Sequence, residues 1–227
     1  MADSLGTDAG AGLKALGVNC TLKPSPAESN TEALMNRVLS LMADHGVETE
    51  VVRPADYAIR FGVTSDEGDG DEWPRVLEKI KAADILLVGT SIWFGHRNSI
   101  AQMVIERLDG TYGETNADGQ YPLYNKVAGV VVTGNEDGAH SCAESLLFNM
   151  THLGCTVPPN VDTYWVGTAG PGPSYLEAGG EDHPYTQRTS SWTAHNLIHM
   201  ARILRDNPIP PIGNTLEDSG GDPVHGG

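Results

Sequence analysis

Apolar residues fall along this chain in two alternating rhythms. Short, near-continuous runs bounded by Gly, Pro and polar residues predict buried strands, and stripes spaced three or four residues apart predict amphipathic helices. The first run spans residues 15–22, with Leu16, Val18 and Leu22 apolar and Cys20 suited to burial; Pro24 and Pro26 end it. Leu34, Val38, Leu41 and Met42 then form a helical stripe that His45-Gly46 stops. A second strand is expected over 47–52, and a helix opened by Trp73-Pro74 runs through Val76, Leu77, Ile80 and Ala83. The third strand is read at 85–88. Ile100, Met103, Val104 and Leu108 mark a helix closed by Gly110, and Val127 and Val130 to Val132 mark a fourth strand over 126–133. A helix over 139–152, a fifth strand over 155–161 interrupted by Pro158-Pro159, and a last helix over 189–204 complete the pattern.

Five strands alternating with helices predict an open, doubly wound α/β fold with a parallel sheet. One domain is expected over 15–206, between a mobile N-terminal tail (1–14) and an extended C-terminal tail (207–227). Three segments interrupt the rhythm. Residues 53–72 carry Tyr57, Ile59 and Phe61, which favour an ordered excursion; its acidic end, Asp66 to Glu72, lacks the calcium-loop pattern and is read as a solvated turn. Residues 112–124 are a polar insertion, and 163–188 an aromatic, glycine-rich loop region.

Composition narrows the function. The 227 residues carry 14 Lys and Arg against 30 Asp and Glu, a formal charge of -16, which disfavours nucleic acid and anionic membrane as partners. Three scattered cysteines with no CxxC are read as buried thiols of a reducing, cytoplasmic setting. No secretory leader and no run long enough to span a bilayer is visible. His195 and His199 stand four apart on the last helix without the glutamate of a zinc motif, so they are read as structural, and no metal is expected.

The chemistry-bearing positions gather in three loops after predicted strands, where open α/β sheets bind ligands. After strand one, Ser29, Asn30 and Thr31 sit at a helix start, the composition of a phosphate cradle, with Lys23 or Ser25 as added contacts; the same residues also suit an ordinary helix cap. After strand three, Thr90 and Ser91 offer hydroxyls, Trp93 and Phe94 can cover a planar ring, and Gly95 permits close approach. After strand four, in the loop Thr133 to His140, Gly134 and Gly138 let the backbone turn so that the N–H groups of Asn135, Glu136 and Asp137 can face a ligand's carbonyl edge, with His140 beside them. There is no Walker A, no GxGxxG after strand one and no GxSxG elbow.

In this order and spacing, Ser29-Asn30-Thr31, the string Thr90 to Gly95 and the string Val132 to His140 resemble the NADPH-dependent FMN reductase branch of the flavodoxin-like superfamily, from about residue 15 to 214. Gly70 to Pro74 and Tyr164 to Gly167 add group-like strings. The resemblance implies a flavodoxin-like sheet of order 2-1-3-4-5 that holds FMN noncovalently at the strand ends. The phosphate then matches Ser29 to Thr31 with help from residues 23–25. The isoalloxazine ring lies against residues 92–95 and near 133–138. It also implies a homodimer or homotetramer, NAD(P)H as hydride donor, and a quinone, flavin or other small acceptor, with no catalytic side chain; a non-enzymatic FMN carrier is the alternative. Many such reductases carry an arginine in the first loop, where this chain has Lys23-Pro24-Ser25.

Overall fold

In the computed structural model, which describes residues 6, 8–170 and 172–220, strands and helices alternate as the rhythm predicts. The elements are β1 (Lys14–Cys20), α1 (Asn30–Ala43), β2 (Glu48–Val52), α2 (Trp73–Ala82), β3 (Ile85–Trp93), β4 (His96–Arg97), α3 (Ser99–Asp109), β5 (Val127–Gly134), α4 (Ala139–His152), β6 (Asp162–Val166) and α5 (Pro184–Asp206). Five strands pair in parallel in the order β2-β1-β3-β5-β6, and β4 pairs antiparallel with the end of β3. Counting the parallel strands alone, this is the flavodoxin-like 2-1-3-4-5 order. The order reverses between β1 and β3, so a crevice opens at the carboxyl ends of these two strands.

Side-chain alternation divides the core into two layers. Leu16, Val18, Leu86, Val88, Val130 and Val132 point toward α2, α3 and α4. Ala15, Ile85, Leu87, Val127 and Val131 point toward α1 and α5. Such two-sided burial explains why the strands read as unbroken apolar runs. Gly89 in β3 admits α1: a Cβ there would lie 2.6 Å from Met35 Cε and 2.8 Å from Thr31 Cγ2. The missing side chain sets the start of α1 directly over the crevice.

Four expectations are corrected. The fifth strand is not at 155–161. Thr156 makes only an isolated bridge to Val127, and the strand forms at Asp162–Val166 inside the expected loop region. Pro158 and Pro159 cannot donate to a ladder, whereas Thr163, Tyr164, Trp165 and Val166 suit one. β3 runs on to Trp93, five residues past its expected end. α5 begins at Pro184, five residues before its expected start, with proline in the first turn. The acidic run is not wholly solvated: the Asp71 side chain is fully buried against Arg107.

The two expected tails are also engaged where described. Ala9 and Leu13 are buried, and the Gly10 N–H donates to the His45 carbonyl at 2.7 Å. At the other end the Ile209 N–H donates to Asn125 Oδ1 at 2.7 Å, and buried Gln120 donates to the Ile209 carbonyl at 3.1 Å. The remainder of those tails, residues 1–5, 7 and 221–227, lies outside the described residues.

Candidate functional site

A cavity of about 720 Å³ occupies the crevice, within the size range of cofactor sites. All three loops expected to carry chemistry meet there. Lys23, Ser29, Asn30 and Thr31 line one end, Ser91, Ile92 and Trp93 one side, and Thr133, Gly134, Asn135 and Glu136 the floor.

Ser29 is the N-cap of α1, its hydroxyl accepting the Glu32 N–H at 3.2 Å. The cap reading and the cradle reading are therefore compatible, because one cap satisfies only one of the first-turn donors. The N–H groups of Asn30 and Thr31 have no preceding helical carbonyl to bond, and they carry the positive end of the helix dipole. Thr31 Oγ1 lies 2.8 Å from Thr133 Oγ1, so two of the three loops touch through buried hydroxyls. Ser25 is not brought to this cavity. Asp56 accepts its N–H at 2.6 Å and its hydroxyl at 2.7 Å, which holds it in a neighbouring recess of about 370 Å³.

The Trp93 segment is a hairpin tip rather than a loop leading into a helix. β3 and β4 are joined by Phe94 and Gly95, both at positive φ (50° and 78°), the backbone that a two-residue hairpin turn requires. The Trp93 indole donates to Ser91 Oγ at 3.1 Å, and Asn98 Nδ2 donates to the same oxygen at 2.9 Å, so the ring's setting is fixed from inside the fold. Trp93 keeps 53% of its surface exposed while lining the cavity; Phe94 is 91% exposed at the tip and lies outside the lining.

Glu136 joins the second and third loops, its carboxylate accepting the N–H groups of Phe94 at 3.1 Å and Gly95 at 3.3 Å. Gly95, Asp137 and Gly138 are not among the cavity's lining residues. His140 is turned to the sheet edge, 3.0 Å from the Tyr164 hydroxyl. The hydrogen bond between the Tyr164 and Tyr185 hydroxyls, 3.1 Å apart, and then burial push the Tyr164 phenol up to about 12.

Sequence reasoning missed the cavity's cover. Trp165, Gly170, Ser174 and Tyr175 line it, as do Thr21 and Leu22 at the end of the first strand. The cover is tied down at two points: Asn135 Nδ2 donates to the Gly172 and Pro173 carbonyls at 2.8 Å, and Asn30 Oδ1 accepts the Leu176 N–H at 3.0 Å. The alternation around Trp165 was a strand signal that places its ring on the α1 face. No local signal marks Ser174 and Tyr175, since their place depends on a fold-back of more than a hundred residues to Asn30.

The cysteines take no part in the cavity. Burial pushes the Cys20 and Cys155 thiols up to about 12 and Cys142 up to about 11. All three are therefore expected to resist a thiol-specific disulfide reagent at pH 8 in the folded protein and to react in denaturant. Rapid labelling of any one in the folded protein would contradict their burial. His195 sits 3.2 Å from His45, and among the described residues no three His, Cys, Asp or Glu side chains gather as a metal site.

A helix N-terminus with buried hydroxyls and one lysine, in the same cavity as two tryptophans, fits a ligand with an anionic group and a flat ring. The sequence profile of a family described as NADPH-dependent FMN reductase matches residues 13–168. The chain belongs to that family. FMN is its cofactor and oxidoreduction its chemistry, and a cavity that joins a helix N-terminus and hydroxyls to aromatic side chains is of a kind that fits FMN. Among family relatives, the chain is 43% identical over 206 residues to 8-demethyl-8-aminoriboflavin-5'-phosphate synthase of Streptomyces davaonensis, covering 86% of this chain and 80% of that protein. It overlays the crystal structure of RosB with the bound intermediate 8-demethyl-8-formylriboflavin-5'-phosphate at a TM-score of 0.83 and 40% identity, covering 92% of this chain and 85% of that one. It is also 42% identical over 200 residues to a protein of Mycobacterium bovis named divalent metal cation transporter MntH; that match takes in 86% of this chain but spans only 29% of the transporter. Among the described residues, no helix is long and apolar enough to cross a membrane.

Proposed function

We propose that this reductase-family chain passes electrons from NAD(P)H to a quinone, a free flavin or another small acceptor through FMN held in the crevice. The observation that carries the reading is one cavity lined both by hydroxyls at a helix N-terminus and by aromatic side chains, among them a half-exposed Trp93. When bound, FMN supplies the ring that accepts hydride and releases electrons. The chain's own residues bind and orient. The N–H groups of Asn30 and Thr31, with Lys23, take the phosphate. Ile92, Trp93 and Trp165 cover the ring, and the backbone of residues 134–136 faces its polar edge. The exposed side of Trp93 leaves room for a nicotinamide and then an acceptor to stack in turn. No side-chain acid or base is required.

Copies of the chain are proposed to assemble as a homodimer or homotetramer. Phe94, apolar and exposed beside the cavity, supports this, since a neighbouring subunit would cover it.

A second reading takes the flavin phosphate as substrate rather than cofactor, supported by the 43% identity to a synthase named for a modified riboflavin phosphate. One experiment separates the readings. The FMN-loaded protein is mixed with NADH or NADPH and, in separate runs, a quinone, free riboflavin or ferricyanide as acceptor, and the protein's FMN is weighed by mass spectrometry afterward. Nicotinamide oxidation with FMN recovered unchanged is expected. No oxidation with any acceptor overturns the first reading, and a flavin of altered mass supports the second.

A further inference from the structure

The segment carrying Lys23 and Ser25 is held largely from outside, by residues that follow β2. Arg53 Nη1 donates to the Ala27 carbonyl at 2.8 Å and to the Lys23 carbonyl at 3.3 Å. Its Nη2 pairs with the carboxylate of Glu32, in the first turn of α1. The guanidinium end is nearly buried, its side chain 9% exposed. The network continues inward: Asn19 Nδ2, fully buried, donates to Glu32 Oε2 at 2.6 Å, and the cap Ser29 Oγ lies 3.4 Å from Asn19 Oδ1. Asp56 holds the same segment through Ser25, whose N–H and hydroxyl keep the Asp56 carboxyl below the usual carboxylate range. Arg53 lines the neighbouring recess and not the flavin cavity.

We propose that Arg53 is a positioning residue for the phosphate end of the flavin site, setting the preference for a phosphorylated flavin without touching it. The proposal rests on the reading that the phosphate lies at residues 23–31. Two effects combine. Arg53 fixes the backbone that carries Lys23, so that the cation stays at the rim of the cavity. It also neutralises Glu32, whose negative charge stands at the same helix start that must accept a phosphate dianion. A removed guanidinium leaves that carboxylate to repel the phosphate, while an uncharged ribityl end is indifferent to it.

The test is titration of FMN and of riboflavin into flavin-free protein, followed by flavin fluorescence. In Arg53→Gln the FMN dissociation constant is expected to rise about tenfold while that of riboflavin changes less than about twofold. Adding Glu32→Gln to Arg53→Gln is expected to recover part of the FMN affinity, which a purely structural role would not do. Arg53→Lys keeps the buried charge but not the fork that reaches both carbonyls and the carboxylate, so it is expected to fall between wild type and Arg53→Gln and serves if the latter does not fold. Equal weakening of both flavins, or no loss of FMN preference in either variant, overturns the proposal. Lys23→Met separates the underlying reading. If it lowers FMN preference while the Arg53 variants do not, the role of Arg53 alone fails. If none of them does, the phosphate does not lie at residues 23–31 and both fail.

Discussion

Replacing Arg107 with leucine is expected to cost the fold about 3–5 kcal/mol, the penalty for stranding one partner of a buried ion pair. The side chains of Arg107 and Asp71 are both fully buried, 2.7 Å apart. Arg107 also donates to the Arg60 carbonyl at 2.7 Å and the Thr64 carbonyl at 3.0 Å, and its guanidinium lies 5.6 Å from the Trp73 ring centre. One side chain on α3 therefore ties down the whole excursion between β2 and α2. Asp71 in turn accepts the N–H groups of Glu67 at 3.0 Å and of Arg60 and Trp73 at 3.2 Å. Urea unfolding measures the loss. A change below about 1 kcal/mol would class the pair with exposed salt bridges and contradict its burial. The double variant Arg107→Leu with Asp71→Asn is expected to regain part of the stability, because the stranded charge is gone.

The same pair sets an acid limit. Burial by itself raises the Asp71 carboxyl, but the Arg107 guanidinium and the three N–H donors outweigh it and hold the group well below the usual carboxylate range. A carboxyl lowered by folding contributes stability that is complete above its unfolded value, about 3.9, and is lost as pH falls through the folded value. The Asp71 contribution is therefore expected to persist at pH 4 and to fade only in stronger acid. Asp71→Asn should show a smaller acid-dependent loss than the parent.

Replacing Gly138 with alanine is expected to lower FMN affinity by about tenfold or more and to add about 1–3 kcal/mol of backbone strain. Gly138 has φ of 126°, and a Cβ there would lie 2.4 Å from the Gly95 carbonyl oxygen and 2.6 Å from the Gly95 carbonyl carbon. Both neighbours are backbone, so the hairpin tip must move, and with it the Phe94 and Gly95 N–H groups that Glu136 holds. Gly95→Ala is the control. Its φ is also positive, at 78°, but its Cβ would meet only the Asp137 carbonyl at 3.8 Å, so it is expected to lose less. FMN titration and thermal unfolding of both variants check this. Equal losses would show that strain at positive φ, and not the contact between the two loops, governs the site.

The sheet and the three loops that meet at the cavity were legible because they rest on local signals. Buried parallel strands announce themselves by runs such as Val130 to Val132, and Ser29 sits at capping-box spacing from Glu32. What stayed hidden depends on distant partners. Ser25 reads as a phosphate contact until Asp56, on another connection, claims both of its donors. Asp71 reads as one more solvated acid until Arg107, 36 positions away, buries it. Phe94 and Trp93 are indistinguishable as adjacent aromatics, and only the antiparallel β4 pairing, which turns the chain between them, puts one at the cavity and the other at an exposed tip. The fifth strand lies just past the run that ends at Val161, because Pro158 and Pro159 inside that run cannot donate to a ladder.

The central claim is that one crevice, between the ends of β1, β3 and β5, holds FMN with its phosphate at the start of α1. A crystal structure of the FMN-loaded protein tests it most directly. The account predicts phosphate oxygens within hydrogen-bond reach of the Asn30 and Thr31 N–H groups and the flavin ring against Ile92, Trp93 and Trp165. A phosphate bound away from residues 23–31, or a ring lying outside the cavity, would contradict it.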